Sequence, residues 1–441
     1  MVSVGNRIRR ALRSRSTVVV VLCVLGMLAS ATLMATGAGE KPAEKVELQW
    51  LVPGLKGNPY SPSFLAMIAD FEKAHPGVTV KMEDVGWAQD REVILTRLVS
   101  GQAPDLFWTH TNRVTEVGER MQGFVAFDTE FKDFNTVAQW FPKARIDSSK
   151  SIDGHYYGVS VGTLIFCTAV NMGMLREVGI TTPPKTWSEM RAAAKAVTIP
   201  GKRWGVGWPM GAGLDTGYRV YPYALKAGNR LLSPDLKTAT WNDEASLATM
   251  QFMLDLKADG SFVPGADVWT GTEEWNAWKQ GVFAFAIGGP WIPKVTDPAN
   301  LKDVILIPTP VPDKMVGKYP SATLSDDIMI TITRQSKHKE LAWEFVKDFT
   351  DAKHNSMWLD PEMGLQPSNK ECYKDQRWHQ FWGWEVYEVE AENAVAWPYT
   401  TVLGDIETQY DLSISEVWSG QKQLKAGFDQ GVAACNKILS K

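Results

Sequence analysis

The chain has 441 residues, too many for one ordinary hydrophobic core, and at roughly 150 residues per domain it divides into two or three units. Its composition, 44% hydrophobic and 22% charged, excludes disordered and fibrous classes. The formal charge is −4, and without the five arginines of the first 38 residues 41 basic face 50 acidic residues, an acidic balance that argues against nucleic acid or an anionic membrane as partner.

In chain order, arginines at 7, 9, 10, 13 and 15 precede an apolar run from Thr17 to about Ala31 and then small residues up to Gly39. That is the layout of an export signal, residues 1–38, with cleavage near Ala38, although the apolar run is also long enough for an uncleaved membrane anchor. Arg9-Arg10-Ala11-Leu12 matches a twin-arginine signal only loosely. Cys23 has no small-residue lipobox before it and is not read as a lipid-attachment site.

After this segment strand-like and helix-like patterns alternate, the mark of an α/β protein. Val46 to Val52 alternates and breaks at Pro53-Gly54. Ser63 is placed to cap a helix with Phe64, Ile68 and Phe71 on one face, stopped at His75-Pro76-Gly77. Val78 to Met82 is the next strand, Trp87 ends the turn after it, and Val93, Leu95, Leu98 and Val99 mark a second helix. Asp105 to Trp108 is a short third strand. Thr186 and Glu189 form a capping box for a helix running to Val197. Asn242 opens another helix, 258–271 is turn-like, and Leu341, Phe345 and Phe349 mark a further helix face. Pro308, Pro310, Pro312 and Pro320 precede a strand at Ile328 to Ile332.

Among catalytic patterns, Gly158-Val-Ser160-Val-Gly162 satisfies G-x-S-x-G, and Asp360 and His379 follow in the order of a hydrolase triad. That motif requires a helix directly after the serine. Here Thr163 to Val170 is β-branched and apolar, so a strand follows, and a secreted serine hydrolase using Ser160 stands only as an alternative. The six histidines include no pair at helical ligand spacing, no metal site is assigned, and each is read as a surface or turn residue. Gly205-Val-Gly207-Trp-Pro-Met-Gly211 has the wrong spacing for a dinucleotide loop and a proline where its helix should begin. The adjacent acids Glu273-Glu274 and Asp326-Asp327 are read as solvated helix face or polar loop. Beyond the signal three cysteines remain; Cys372 and Cys435 could pair in an oxidising compartment, and Cys167 is read as a lone buried thiol.

The 19 tryptophans are more than packing alone asks for. Trp87, Trp108, Trp208, Trp291 and Trp397 stand at or past strand-like runs, or in Gly/Pro-rich loops. Ligands of open α/β sheets bind outside the carboxyl ends of strands, so these positions would line a cleft. An indole face stacks on the apolar face of a sugar ring, and Lys56, Asn112, Arg113, Asp215 and Asp326 would supply hydrogen bonds to its hydroxyls.

Several segments together carry a family resemblance: His75-Pro-Gly-Val-Thr-Val80, Ser100-Gly-Gln-Ala-Pro-Asp-Leu-Phe-Trp108, Asp153-Gly-His-Tyr-Tyr-Gly158, Val170-Asn171, Pro183-Pro-Lys-Thr-Trp187, Gly288-Gly-Pro-Trp291 and Gln335-Ser-Lys-His-Lys-Glu340. Their order and spacing, from about Val46 to Leu439, resemble extracellular solute-binding protein family 1, the maltose-binding-protein-like sugar receptors of bacterial ABC importers. The resemblance implies a two-lobed periplasmic-binding-protein type II fold, α/β in class, with a ligand cleft between lobes joined by several hinge crossings. It implies a first lobe of 45–160 and 323–366 and a second of 161–322 and 367–441.

It puts Trp108, Asn112 and Arg113 on the first lobe's cleft edge, Ser160 in a crossing strand, and Tyr218, Trp291 and the Trp397-Pro398-Tyr399 segment on the second lobe, with Lys56 and Trp87 as loop additions. In Phe283 to Trp291, the glycines would allow a tight turn, Pro290 would open a helix, and Trp291 would face the cleft. Ser325-Asp326-Asp327 departs from the small Gly-Gly turn of many relatives, which leaves open a non-sugar ligand such as glycerol phosphate or a polyamine. The resemblance further implies an extracytoplasmic or periplasmic monomer that binds a carbohydrate and delivers it to ABC permease subunits, with no catalytic residue and no cofactor.

Overall fold

The computed structural model describes residues 45–55, 62–317, 322–360 and 363–441. The expected signal segment, Lys56 and Pro320 lie outside them. Chain contacts separate a small unit, residues 1–46 with 76–78, from a second comprising 47–75 and 79–441. In the first, the described residues are joined by the Val46 amide donating to the Gly77 carbonyl at 2.9 Å. The second holds the sheets and helices, save for Val46 and Val78 at the starts of two strands.

Among the described residues there are two sheets. The larger contains β1 (Val46–Pro53), β2 (Val78–Val85), β3 (Leu106–His110), β4 (Val159–Ile165), β9 (Thr323–Ile332) and β10 (Gln366–Pro367), in the order β10-β4-β9-β3-β1-β2, with β11 (Ala394–Val395) pairing β9. The smaller runs β6 (Trp204–Val206), β7 (Phe283–Gly288), β5 (Cys167–Asn171), β8 (Val304–Ile307). β1 and β3 are parallel, whereas β9 runs antiparallel to both β3 and β4.

Helices cover the sheet faces. They include α1 (Pro62–Ala74), α2 (Asp90–Ser100), α3 (Lys143–Ser148), α4 (Trp187–Val197), α5 (Leu214–Ala227), α6 (Glu244–Ala258), α7 (Gly271–Lys279), α8 (Lys339–Thr350), α9 (Ala352–Asn355), α10 (Trp384–Ala391), α11 (Leu403–Trp418) and α12 (Leu424–Leu439).

Both faces of the larger sheet are buried, which is why β3 and β9 read as unbroken buried runs. Strand alternation sends Leu51 and Phe107 to one side, where they pack with Ile94, Val117, Phe124 and Met329. It sends Trp50 and Trp108 to the other, where the two indoles stack at 5.5 Å and meet Phe64 of α1, Phe349 of α8 and Trp358. In the smaller sheet, Ala169, Phe283, Ala286 and Val304 pack with Trp278 and Ile292.

Helix signals held with small displacements. The Thr186/Glu189 capping box is present in full. Ser63 lies inside α1, and its hydroxyl donates to Asp360 at 2.6 Å. α6 is capped by Asp243, one residue beyond Asn242. In α2 the core residue is Ile94, and Val99 is 82% exposed.

The chain crosses between the sheets with little slack. Phe166 alone separates β4 from β5, so β4 stays in the larger sheet five residues past the expected boundary at 160. The return lies between β8 and β9. A buried ion pair joins Lys226 Nζ of α5 to Glu390 Oε2 of α10 at 2.7 Å, with both side chains 1% exposed or less. Cys167, Cys372 and Cys435 are all free and buried, so the possible Cys372–Cys435 bridge is absent; Cys372 packs instead in the cluster that contains Cys167.

Candidate ligand-binding site

β9 carries Asp326 and Asp327 into the middle of the larger sheet. Consecutive strand residues point to opposite faces, and the two carboxylates have separate partners. Asp326 Oδ2 accepts the Tyr218 hydroxyl of α5 at 2.5 Å and lies 2.7 Å from His110 Nδ1, while its Oδ1 accepts the Asp327 amide at 2.9 Å. Asp327 accepts from Thr163 and Ser148, each at 2.6 Å, and from Arg145 of α3 at 3.3 Å. All four carboxylate oxygens are engaged, which is the condition for keeping acids 3% and 2% exposed. The expectation of a solvated polar loop is therefore corrected, as it is for Glu274, which is fully buried against Arg219 of α5 in a paired contact at 2.9 and 2.6 Å. The reason is common to both: each acid has a protein cation or hydroxyl within reach.

An aromatic band runs through this centre. The Trp87 ring lies 4.7 Å from His110, His110 lies 5.3 Å from Tyr218, and Tyr218 lies 5.3 Å from Phe166. Phe166 meets Trp291 edge-on at 5.3 Å, and Trp291 meets Trp275 at 6.1 Å. Since Phe166 is the residue between β4 and β5, the band passes from one sheet to the other where the chain itself does. Trp87, Trp275 and Trp291 are half-buried, leaving ring surface available to a ligand. Tyr218 also touches Trp397, which stacks on Tyr221 at 4.9 Å.

The turn that positions Trp291 works by close approach. A Cβ on Gly289 would stand 2.9 Å from the Ile165 carbonyl and 2.5 Å from the Trp291 ring, and one on Gly288 would meet Ile292 at 2.3 Å. Neither glycine has positive φ, so the backbone freedom expected of them is not what they supply. The helical turn begins at Ile292 with Trp291 as its N-cap and Pro293 inside it, not at Pro290 as expected. Gly364, at φ +79°, lies against the Trp291 backbone, where a Cβ would come within 3.1 Å.

Beside the band, Asn112 donates to Glu407 of α11 at 2.7 Å and Arg113 to the same carboxylate at 3.2 Å. Arg113 also lies 3.5 Å from Asp90, which accepts Thr109 at 3.0 Å. A shallow depression with no enclosed room for a water molecule adjoins this cluster, lined by Thr111, Asn112, Thr115, Trp397, Tyr399 and Leu403 among others.

Burial dominates the electrostatics. It would favour the neutral His110 ring, but the Asp326 carboxylate outweighs it and holds the imidazole above its ordinary value. Burial and then Asp326 push the Tyr218 phenol well up, so it remains a donor. Burial raises Glu407 against the opposing pull of Arg113, and lowers the Lys294 ammonium to about 8.

Of the residues expected to line a cleft, Trp87, Asn112, Arg113, Tyr218, Trp291, Asp326, Trp397 and Tyr399 stand in or beside this arrangement. Asp215 accepts the Gly271 amide at 2.8 Å at the start of α7, where it orders a helix end. Three expectations are corrected. Trp108 is 2% exposed within the aromatic core, because β3 continues two residues further and the strand-end position belongs to His110. Trp208 is fully buried, its indole donating to the Phe285 carbonyl at 2.9 Å. Ser160 is 1% exposed at a bulge of β4, with its hydroxyl 3.4 Å from the Gly162 carbonyl. Strand β5, not a helix, follows β4, so the elbow geometry of a serine hydrolase is missing.

Sequence reasoning did not single out His110, Phe166, Arg145, Trp275 or Glu407 as site residues. His110 was read as a surface or turn residue, yet it is 8% exposed. Its position two residues beyond Trp108, on the same face of the strand, was the available signal.

Comparisons with known proteins agree with this architecture. A binding protein of Brucella abortus (strain 2308) is 24% identical over 354 residues, 78% of this chain and 81% of that protein. A solute-binding protein of an ABC transporter from Thermotoga lettingae, solved with α-D-tagatose, superposes with a TM-score of 0.78 at 21% identity, covering 90% of this chain and all of that one. Maltose-bound MalE3 of T. maritima gives a TM-score of 0.79 at 17% identity, over 89% of this chain and all of the other. These likenesses show the two-lobed α/β fold. Residues 58–355 match the bacterial extracellular solute-binding proteins, and with two thirds of its length so matched the chain belongs to that family.

Proposed function

We propose that the chain captures a carbohydrate outside the cytoplasm and delivers it to the membrane permease of an ABC importer, without chemical change. The observation that carries this reading is the aromatic band from Trp87 to Trp275, half-buried at both ends and buried at its centre. Stacked rings with hydrogen-bonding groups beside them suit pyranose or furanose faces. Relatives point the same way: the Thermotoga lettingae protein was solved with tagatose and the T. maritima protein with maltose. A polyamine is disfavoured, because every oxygen of Asp326 and Asp327 already has a protein partner. Export by residues 1–38, a monomeric state and the absence of a catalytic step belong to the same proposal. Among the described residues no helix is long and apolar enough to cross a membrane.

A ligand touching both lobes favours the closed arrangement by its differential affinity, and the permease would read that form. The test is a thermal-shift and tryptophan-fluorescence screen of mono- and oligosaccharides beside glycerol phosphate and polyamines. A saturable shift with a carbohydrate is expected, since a ligand bound by the folded state alone raises the melting temperature. A shift with only a non-carbohydrate solute would overturn the sugar assignment.

A further inference from the structure

A second cluster lies on helices that carry none of the aromatic band. Asp348 in the last turn of α8, Asp351 as the N-cap of α9 and His354 within α9 recur at every third residue across the helix junction. One potential ligand atom from each lies within 4.8 Å of the other two. The His354 side chain is only 10% exposed, yet neither ring nitrogen completes a hydrogen bond or is reached by solvent. Nδ1 stands 3.2 Å from Asp351 Oδ1, an oxygen already taken by the His354 amide at 2.7 Å. Nε2 faces Asp70 Oδ2 of α1 at 3.9 Å, beyond hydrogen-bond reach, and that oxygen accepts Lys353 Nζ at 3.1 Å.

An imidazole held in this way, with carboxylates close by and no completed hydrogen bond, can offer a ring nitrogen to a metal ion beside those carboxylates. We propose that Asp348, Asp351 and His354 bind a divalent transition-metal ion of the zinc class, separate from the solute site. The imidazole sets this preference, since magnesium and calcium take oxygen-only shells while zinc accepts nitrogen with carboxylate. Three protein ligands leave a further coordination position, which water can fill. The ion would pin the α8–α9 junction, beneath which Phe345 and Phe349 enter the aromatic core around Trp50.

The experiment is calorimetric titration of the full chain, stripped with a chelator and kept in mild detergent, with Zn²⁺ and in parallel with Mg²⁺. One Zn²⁺ site is expected, weakened at least about tenfold in His354→Ala and in Asp348→Asn, as loss of one ligand in three requires, and unchanged in His379→Ala. Asp351 is left intact because it caps α9, and circular dichroism checks that each variant is folded; if His354→Ala does not fold, Asp348→Asn decides. No Zn²⁺ site, equal Zn²⁺ affinity in the variants, or equal affinity for Mg²⁺ would each overturn the proposal.

Discussion

His110 and Tyr218, one at the end of a strand of the larger sheet and the other on α5, share a single carboxylate oxygen of Asp326, at 2.7 and 2.5 Å. The two residues come from β3 and α5, so this one oxygen ties the end of a strand to a helix within the proposed site.

The pH dependence follows from that arrangement. His110 keeps its proton to higher pH in the folded chain than its ordinary value of 6.5. Its contribution to stability is therefore fully present below about pH 6.5 and is lost as pH rises through the folded-state value. The charged groups facing it include Asp326 and Asp90, which favour the proton, and Arg113, which opposes it. In His110→Gln, the decline in urea-unfolding stability above pH 6.5 should flatten. Asp326→Asn should cost about 3 kcal/mol near pH 6, because it leaves a buried charge without its partner.

The tryptophans separate into two kinds by mutation. Trp291→Ala should weaken carbohydrate binding about tenfold or more, the scale of a lost aromatic anchor, with a modest fall in melting temperature. Trp208→Ala removes a core side chain and should destabilise by about 3–5 kcal/mol, while any protein that remains folded binds nearly normally. Calorimetry and chemical denaturation on both variants measure the difference; equal binding losses would contradict it.

Gly289→Ala tests the turn. The added methyl must displace the Trp291 ring or the Ile165 carbonyl, and overpacking of this kind costs about 1–3 kcal/mol. Ligand affinity should fall with it, and the fluorescence maximum of the folded variant should shift as the indole moves.

The Lys226–Glu390 pair gives a fourth expectation. Lys226→Met alone strands a buried carboxylate and should cost about 3–5 kcal/mol, whereas adding Glu390→Leu should restore most of that loss. A double-mutant cycle by denaturant unfolding reports the coupling directly.

Much of the fold was legible in the sequence because its signals are local. The Thr186/Glu189 capping box, the alternation from Val46 and the single face of Phe345 and Phe349 each express a periodicity or a cap that neighbouring residues supply. Boundaries slipped where polar residues are buried: β3 reads as ending at Trp108 since Thr109 and His110 look like the start of a loop, but Asp90 and Asp326 satisfy them inside. Trp108 and Trp208 show the corresponding limit for the site. A tryptophan beside glycine or proline signals a turn nearby, while the direction of its ring depends on partners such as Trp50 or the Phe285 carbonyl, which are distant in sequence. Glu274 and Asp327 were misjudged for the same reason, as Arg219 and Arg145 lie far along the chain.

Strand β9 bears on how this receptor can change over time. Asp326 and Asp327 pair with Leu164 and Thr163 of β4, beyond the end of β3, and their carboxylates are held by hydroxyl, amide and guanidinium donors, so loosening them means breaking that network as well as the β4 ladder. The acidic centre is thus mechanically fixed, and adaptation to a new solute falls to the rings at its margins, Trp87, Trp275 and Trp291, which can be replaced without unzipping a ladder.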